Sequence, residues 1–197
     1  MASRFIHWLR VALVAAAAAA CGTSAPSRFY TLNSTATAAA APAARAGILV
    51  GPVSIPDAVD RAEFVLQVAP NRVEIDEFNR WAAPLGESIA RTVAGDLAAL
   101  LGTPDVATAP FANFDPVYRV TIDVQRFDSI QGEAALLEAV WAVRETAGGK
   151  TRSGRTLARE AVQGVGFDAL AAAHSRALAK LSGDIAAAIR AETRAAR

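Results

Sequence analysis

The chain has 197 residues, with 20 lysine and arginine against 19 aspartate and glutamate side chains, long enough for one domain with a real core. That near-neutral balance gives no electrostatic support for nucleic-acid binding, which wants a basic face, and argues against a polybasic membrane-surface patch. One cysteine and two histidines in the whole chain exclude an internal disulfide and leave no ligand set for a zinc site built from those residues.

Met1 to Arg10 carries Arg4, His7 and Arg10 and no acid, and Val11 to Ala20 is an apolar run ending in small residues. A charged start, a short apolar middle and a small-residue end predict a removable secretory signal over 1–20; the run is shorter than the roughly 20 residues a membrane-spanning helix needs. Its loss takes away two arginines, leaving 18 basic against 19 acidic side chains. Cys21 follows at once. A catalytic thiol there has no fixed neighbour to lower its pKa. Ala18-Ala19-Ala20-Cys21 is similar to a bacterial lipobox, in which small residues precede a cysteine that is acylated, with palmitate among the acyl chains, and becomes the first residue. Ala18 stands where leucine is usual, and the same triplet also suits ordinary cleavage that leaves a bare cysteine. Gly22, where aspartate marks inner-membrane retention, points to the periplasmic face of the outer membrane. Residues 21–27 are then a lipidated tether and 28–197 the domain.

Arg28 to Leu32 is short, aromatic and β-favouring, a strand directly after the tether. Residues 35–46 are alanine-rich with one proline and offer no large apolar side chain to dock a helix, so they read as a loop. Gly47 to Val53 is a buried strand ending near Pro52. Phe64–Val68 and Arg72–Asp76 flank Ala69-Pro70-Asn71, a turn, and form a hairpin with one wet face. Pro84 to Leu101 is the clearest helix: Pro84 suits the first turn and Gly102 the end. Leu85, Ile89, Val93, Leu97 and Leu100 make its apolar stripe, with Glu87, Arg91 and Asp96 off it.

Tyr118, Val120, Ile122 and Val124 alternate with polar residues until the phase breaks at Arg126-Phe127, a bulge signal. Leu137, Ala139, Trp141 and Val143 share one face of the next strand. After the turn at 147–150, Thr156 to Val162 pairs back, completing an antiparallel meander. Phe167-Asp168 opens a last helix, with Asp168 as its cap and Leu170, His174, Ala177, Leu181, Ile185 and Ala188 facing inward. The expected fold is a single α/β domain with a mixed, mostly antiparallel sheet and two long helices, in two or three layers.

Chemistry is sparse. The chain has no G-x-S-x-G elbow, P-loop or dinucleotide fingerprint, so neither an enzyme nor a cofactor is expected. His174 reads as a partly buried structural histidine; as a base it would serve a hydrolase with a serine partner. Asp57, Asp60, Glu63, Glu74, Asp76 and Glu77 read as a solvated acidic edge rather than a catalytic carboxylate pair. Arg80-Trp81, in a connection leading into a helix, is the one candidate partner-binding feature, although Trp81 also suits a core position under that helix.

Cys21, "SRFYTL", "GILVGPVSIP" with Val59-Asp60-Arg61, "EFNRWAAPLGESIARTVAGDLAALLG" and Arg126-Phe127-Asp128 within "VTIDVQRFDSIQGEAALLEAVWAV" resemble, in the same order, the ABC-type transport auxiliary lipoproteins, the PqiC-like group. The N-R-W-A-x-P-L run is the most specific piece, and Asn79 stands where aspartate is expected. The resemblance covers nearly all of the mature chain. It implies a three-layer α/β fold, a lipid anchor in the outer membrane, and partnership with a mammalian-cell-entry (MCE) protein and with ABC transporter or integral membrane subunits. The implied role is non-catalytic help in moving phospholipid or another hydrophobic molecule between membranes. The alternatives are a lipoprotein that itself holds a hydrophobic ligand between helices and sheet, or a general envelope scaffold.

Overall fold

The computed structural model describes residues 25–38 and 46–195; the signal segment and Cys21 lie outside them. Two edges of one long strand organise the chain. β6 (Tyr118–Ile130) alternates buried and exposed side chains, as a strand with one covered face must. It pairs antiparallel with β7 (Ala134–Glu145) along its whole length, and β7 pairs antiparallel with β8 (Thr151–Ala161). The register slips between Val124 and Arg126, the bulge that the broken alternation predicts. Phe127 and Ser129 thereby stay on the inner face.

The opposite edge of β6 is shared between two wings. Its first half runs parallel to β2 (Ile48–Ser54), which carries the short β5 (Val106–Ala107). At its far end Ser129 meets Leu66 of β3 (Glu63–Ala69). β3 pairs antiparallel with β4 (Arg72–Trp81), and β4 takes β1 (Arg28–Tyr30) in parallel on its outer side. The sheet is therefore mixed. β5 lies in the stretch between helix and meander, where two residues are too few for periodicity to register. β8 starts five residues earlier than expected, and β4 runs on to Trp81.

α1 (Leu85–Leu101) follows Pro84, whose fixed φ of −49° suits a helix entry, and ends at Gly102, whose φ of 65° only glycine adopts freely. α2 (Gly166–Ala195) starts earlier than its expected cap, so Asp168 lies inside its first turn, where its charge suits the helix dipole. Both helices pack on one face of the sheet and on each other, giving two layers rather than three. One continuous core joins Ile48, Val50, Leu85, Ile89, Leu97, Val120, Leu181 and Ile185, all buried. All six inward residues foreseen for α2 are buried.

Gly154 of β8 shows how tightly the covered face is filled. The Trp141 ring lies across its backbone, and a Cβ there would fall 2.7 and 2.8 Å from ring carbons. The ring is held by its Nε1–H donating to Thr156 Oγ1 at 3.1 Å, and that hydroxyl donates to Asp184 Oδ2 at 2.6 Å. Gly154→Ala is expected to cost about 1–3 kcal/mol through displaced packing, read as a lower urea midpoint; an unchanged midpoint would contradict this packing.

Candidate functional site

The chemistry-bearing residues gather in an aromatic core below α2. Trp81, at the end of β4, stacks on Phe64 with ring centroids 4.1 Å apart. His174 stacks on Phe127 at 3.9 Å and meets Trp81 edge-on at 6.1 Å. Its Nε2 is 2.8 Å from Ser129 Oγ, while Nδ1 has no partner. Burial lowers the His174 pKa to about 3, because a charge there has no water to stabilise it. The pair has the residue types of a nucleophile and base, but both residues are buried. His174 is thus more deeply buried than its place near the stripe suggests.

The candidate pair Arg80-Trp81 is divided between two faces. Trp81 points into the core and has no surface to offer a partner. Arg80 points away from the helices and pairs with Glu63 at 2.8 Å across the β3–β4 ladder. Strand alternation forces this split, since successive side chains take opposite faces.

The acidic segment is likewise local. Asp76 Oδ1 accepts hydrogen bonds from the Phe78 and Asn79 backbone N–H groups, at 3.0 and 2.8 Å, and from Asn79 Nδ2 at 3.0 Å. Burial works to raise its pKa, but these bonds, chiefly from Asn79, together hold the carboxyl below its ordinary value. Asn79 in turn accepts from the Tyr30 hydroxyl at 2.7 Å, so this turn fixes β1 against β4. Among the described residues no group of three His, Cys, Asp or Glu side chains is placed to hold a metal. One expectation fails here: the hairpin is wet on both faces at its start, with Val73 and Ile75 exposed alongside Glu74. Val73 and Ile75 share the side of Glu63 and Arg80, away from the helices.

Asp96 is the residue that periodicity misplaces. It lies off the large-residue stripe of α1, yet it is fully buried. Its Oδ1 accepts from Ser34 Oγ at 2.7 Å and from the Thr35 and Ala36 N–H groups at 3.0 Å each. Its Oδ2 accepts from Ser182 Oγ of α2 at 3.1 Å. The segment after β1 crosses the helix pair as a strap, and the Asn33 N–H also donates to Ser175 Oγ at 3.2 Å. Gly95 permits the crossing, since a Cβ there would stand 3.1 Å from Ser34 Cβ. Gly95-Asp96 inside a helix is the one sequence signal of this contact, and it does not name the partner.

The surface carries shallow cavities. One of about 290 Å³ opens on the sheet between Val53, Asp123 and Val140, and another of about 220 Å³ lies beside the strap near Arg91. No helix among the described residues is long and apolar enough to cross a membrane.

No curated protein matches the chain. Solved structures with the same fold include the following two. An uncharacterised protein is 21% identical, with 84% of this chain and 99% of that one covered, at a TM-score of 0.70. Protein XCC0632 from Xanthomonas campestris is 20% identical, with 80% and 92% covered, at a TM-score of 0.66. Residues 30–186, from the end of β1 to within the last three turns of α2, match the model of the ABC-type transport auxiliary lipoprotein component. The match takes in the strap, the aromatic core and both helices, so the chain belongs to the ABC-type transport auxiliary lipoprotein family.

Proposed function

We propose that this chain is a non-catalytic accessory of a transport system of the MCE type, held by acyl chains on Cys21 at the periplasmic face of the outer membrane. There it docks the MCE protein and its ABC or integral membrane subunits while phospholipid or another hydrophobic molecule passes between the two membranes. The observation that carries this reading is the position of the lone cysteine. It stands seven residues ahead of β1, in a chain whose family is a lipoprotein component of ABC-type transport. Each acyl CH₂ contributes roughly 0.8 kcal/mol of membrane affinity, so several chains hold durably where one does not. β1 sits on one wing of the sheet, while β8, among the described residues, pairs only with β7 at the other side, leaving an edge remote from the anchor for the partner. The other reading, a ligand carried between helices and sheet, meets an interior already filled by Phe64, Trp81, Phe127 and His174.

Cys21→Ala is the direct test. The variant is expected to move from the membrane fraction to the soluble periplasm and to lose transport function; normal function in that variant would sink the anchoring argument. Co-purification of the wild-type protein with MCE and ABC subunits tests docking separately, and no enrichment would count against it.

A further inference from the structure

The helix-free face of the sheet differs between its two wings. On β6, β7 and β8 its apolar residues are interleaved with ion pairs, Arg126 with Asp128, Arg155 with Glu138 and Arg159 with Glu133. On the β1–β3–β4 wing an apolar stripe lies bare. Val73 and Ile75 stand opposite Gln67 and Val65, on the side that Glu63 and Arg80 share. Phe29 stands opposite Arg80, and Phe78 is exposed in the stretch of β4 between Asp76 and Arg80 where the register slips. The exposures are 65% for Phe29, 54% for Val73, 49% for Ile75 and 39% for Phe78. Large bare apolar stripes mark binding surfaces.

Two observations identify the occupant. The first is where the chain leaves the fold. Phe29 lies eight residues from Cys21, a reach of at most about 29 Å, so an acylated Cys21 keeps this wing beside the bilayer. At such local concentration a modest apolar contact is well populated. The second is what the β4 edge withholds. The Phe78 and Asn79 N–H groups already bond Asp76, and β1 takes the edge from Asn79 onward. The ladder is therefore interrupted at Phe78, where an added strand would need a donor, and side chains are what the wing presents. We propose that Phe29, Val73, Ile75 and Phe78 rest in the interface of the phospholipid bilayer that carries the anchor, with Arg80 among them at headgroup level. The stripe thereby fixes the orientation of the domain on the membrane and turns β8 toward the periplasm. This proposal rests on acylation of Cys21.

The test uses the full-length protein matured in cells and reconstituted into phosphatidylethanolamine–phosphatidylglycerol vesicles. Because Cys21 is the chain's lone cysteine and its sulfur is then blocked, Ile75→Cys and Phe78→Cys each add a single free thiol for a polarity-sensitive fluorophore. Leu157→Cys, on β8 and 70% exposed in the native side chain, is the control. With brominated acyl chains in the vesicles, at least two-fold quenching at positions 75 and 78 is expected, with none at 157. Protein that floats with the vesicles while 75 and 78 are quenched no more than 157 overturns the contact and leaves the anchor standing, the stripe then being a face for a protein partner. Protein that fails to float overturns the anchor, and the contact with it.

Discussion

Asp96→Ala is expected to lower the unfolding free energy by about 3–4 kcal/mol, the largest single loss foreseen outside the aromatic core. Asp96 is the shared acceptor of Ser34 Oγ, the Thr35 and Ala36 N–H groups and Ser182 Oγ. Its removal strands donors from two separate stretches of chain, the part-buried strap and the buried Ser182, and each group left unsatisfied away from water costs about 1–3 kcal/mol before relaxation. Ser182 retains a bond to the Leu178 carbonyl, and the strap regains water once it lifts, so the total falls well below the sum of the parts. Against a typical stability of about 5–15 kcal/mol, the loss is severe and corresponds to a Tm lower by roughly 10 °C. Asp96→Asn keeps one acceptor oxygen and is expected to lose less than half as much. Denaturant unfolding of the two variants separates these outcomes, and a loss under 1 kcal/mol in Asp96→Ala would show that the strap is not held by this carboxylate.

The strap also bears on the anchor proposed at Cys21. It begins where β1 ends, and β1 is the first element after the tether. A pull on the proposed tether would reach β4 through Tyr30, whose hydroxyl bonds Asn79, and the helix pair through Asp96. With Cys21 acylated as proposed, the β1–β4 ladder and the buried Asp96 carboxylate would stand in series between the anchor and the domain.

Asp96 also marks the boundary of what periodicity reveals. A helical projection reports the preference of one helix in isolation: Leu85, Ile89, Val93 and Leu97 face the core as foreseen. It cannot report that a strap some 60 residues earlier and a serine 86 residues later close over the polar side. The same reason hides the sheet order. Alternation shows that β6 is half-buried and that β7 and β8 follow as a meander, because hairpin neighbours are close in sequence. The parallel pairing of β2, and of β3 at its far end, with one edge of β6 joins segments separated by α1, and no local pattern encodes that register. On β4 the alternation of Val73 and Ile75 with Glu74 and Asp76 predicts a dry face; it is bare because Val73 and Ile75 take the side of Arg80, which no helix covers. Arg80 and Trp81 are adjacent letters that strand geometry sends to opposite faces, one to the surface and one to the core. The site legible in the sequence from the outset, Cys21, lies ahead of the described fold, and its role is tested by processing and flotation rather than by packing.

The second large effect is a pH dependence of stability carried by His174. Its pKa is pushed down to about 3 in the fold by burial, whereas an unfolded chain leaves it near 6.5. Above pH 6.5 the imidazole is neutral in both states and the full stability is present. As pH falls from 6.5 toward 3 the unfolded chain takes up a proton that the folded chain refuses, so stability drops with pH. The slope is at most about 1.4 kcal/mol per pH unit, roughly 2–3 kcal/mol by pH 4.5, and it ends once the folded pKa is passed. Asp76, whose pKa is also lowered, adds a loss of the same sign in more acid solution, so the His174 contribution must be taken by difference. The double variant Ser129→Ala/His174→Phe removes the titrating ring and the hydroxyl that faces it, and phenylalanine keeps the stack on Phe127. Wild type and variant are each unfolded in urea at pH 7 and pH 4.5. The wild type is expected to lose about 2–3 kcal/mol more than the variant over that interval. Equal losses would mean that His174 takes up its proton inside the fold, against its burial between the stacked Phe127 ring and the edge-on Trp81 ring.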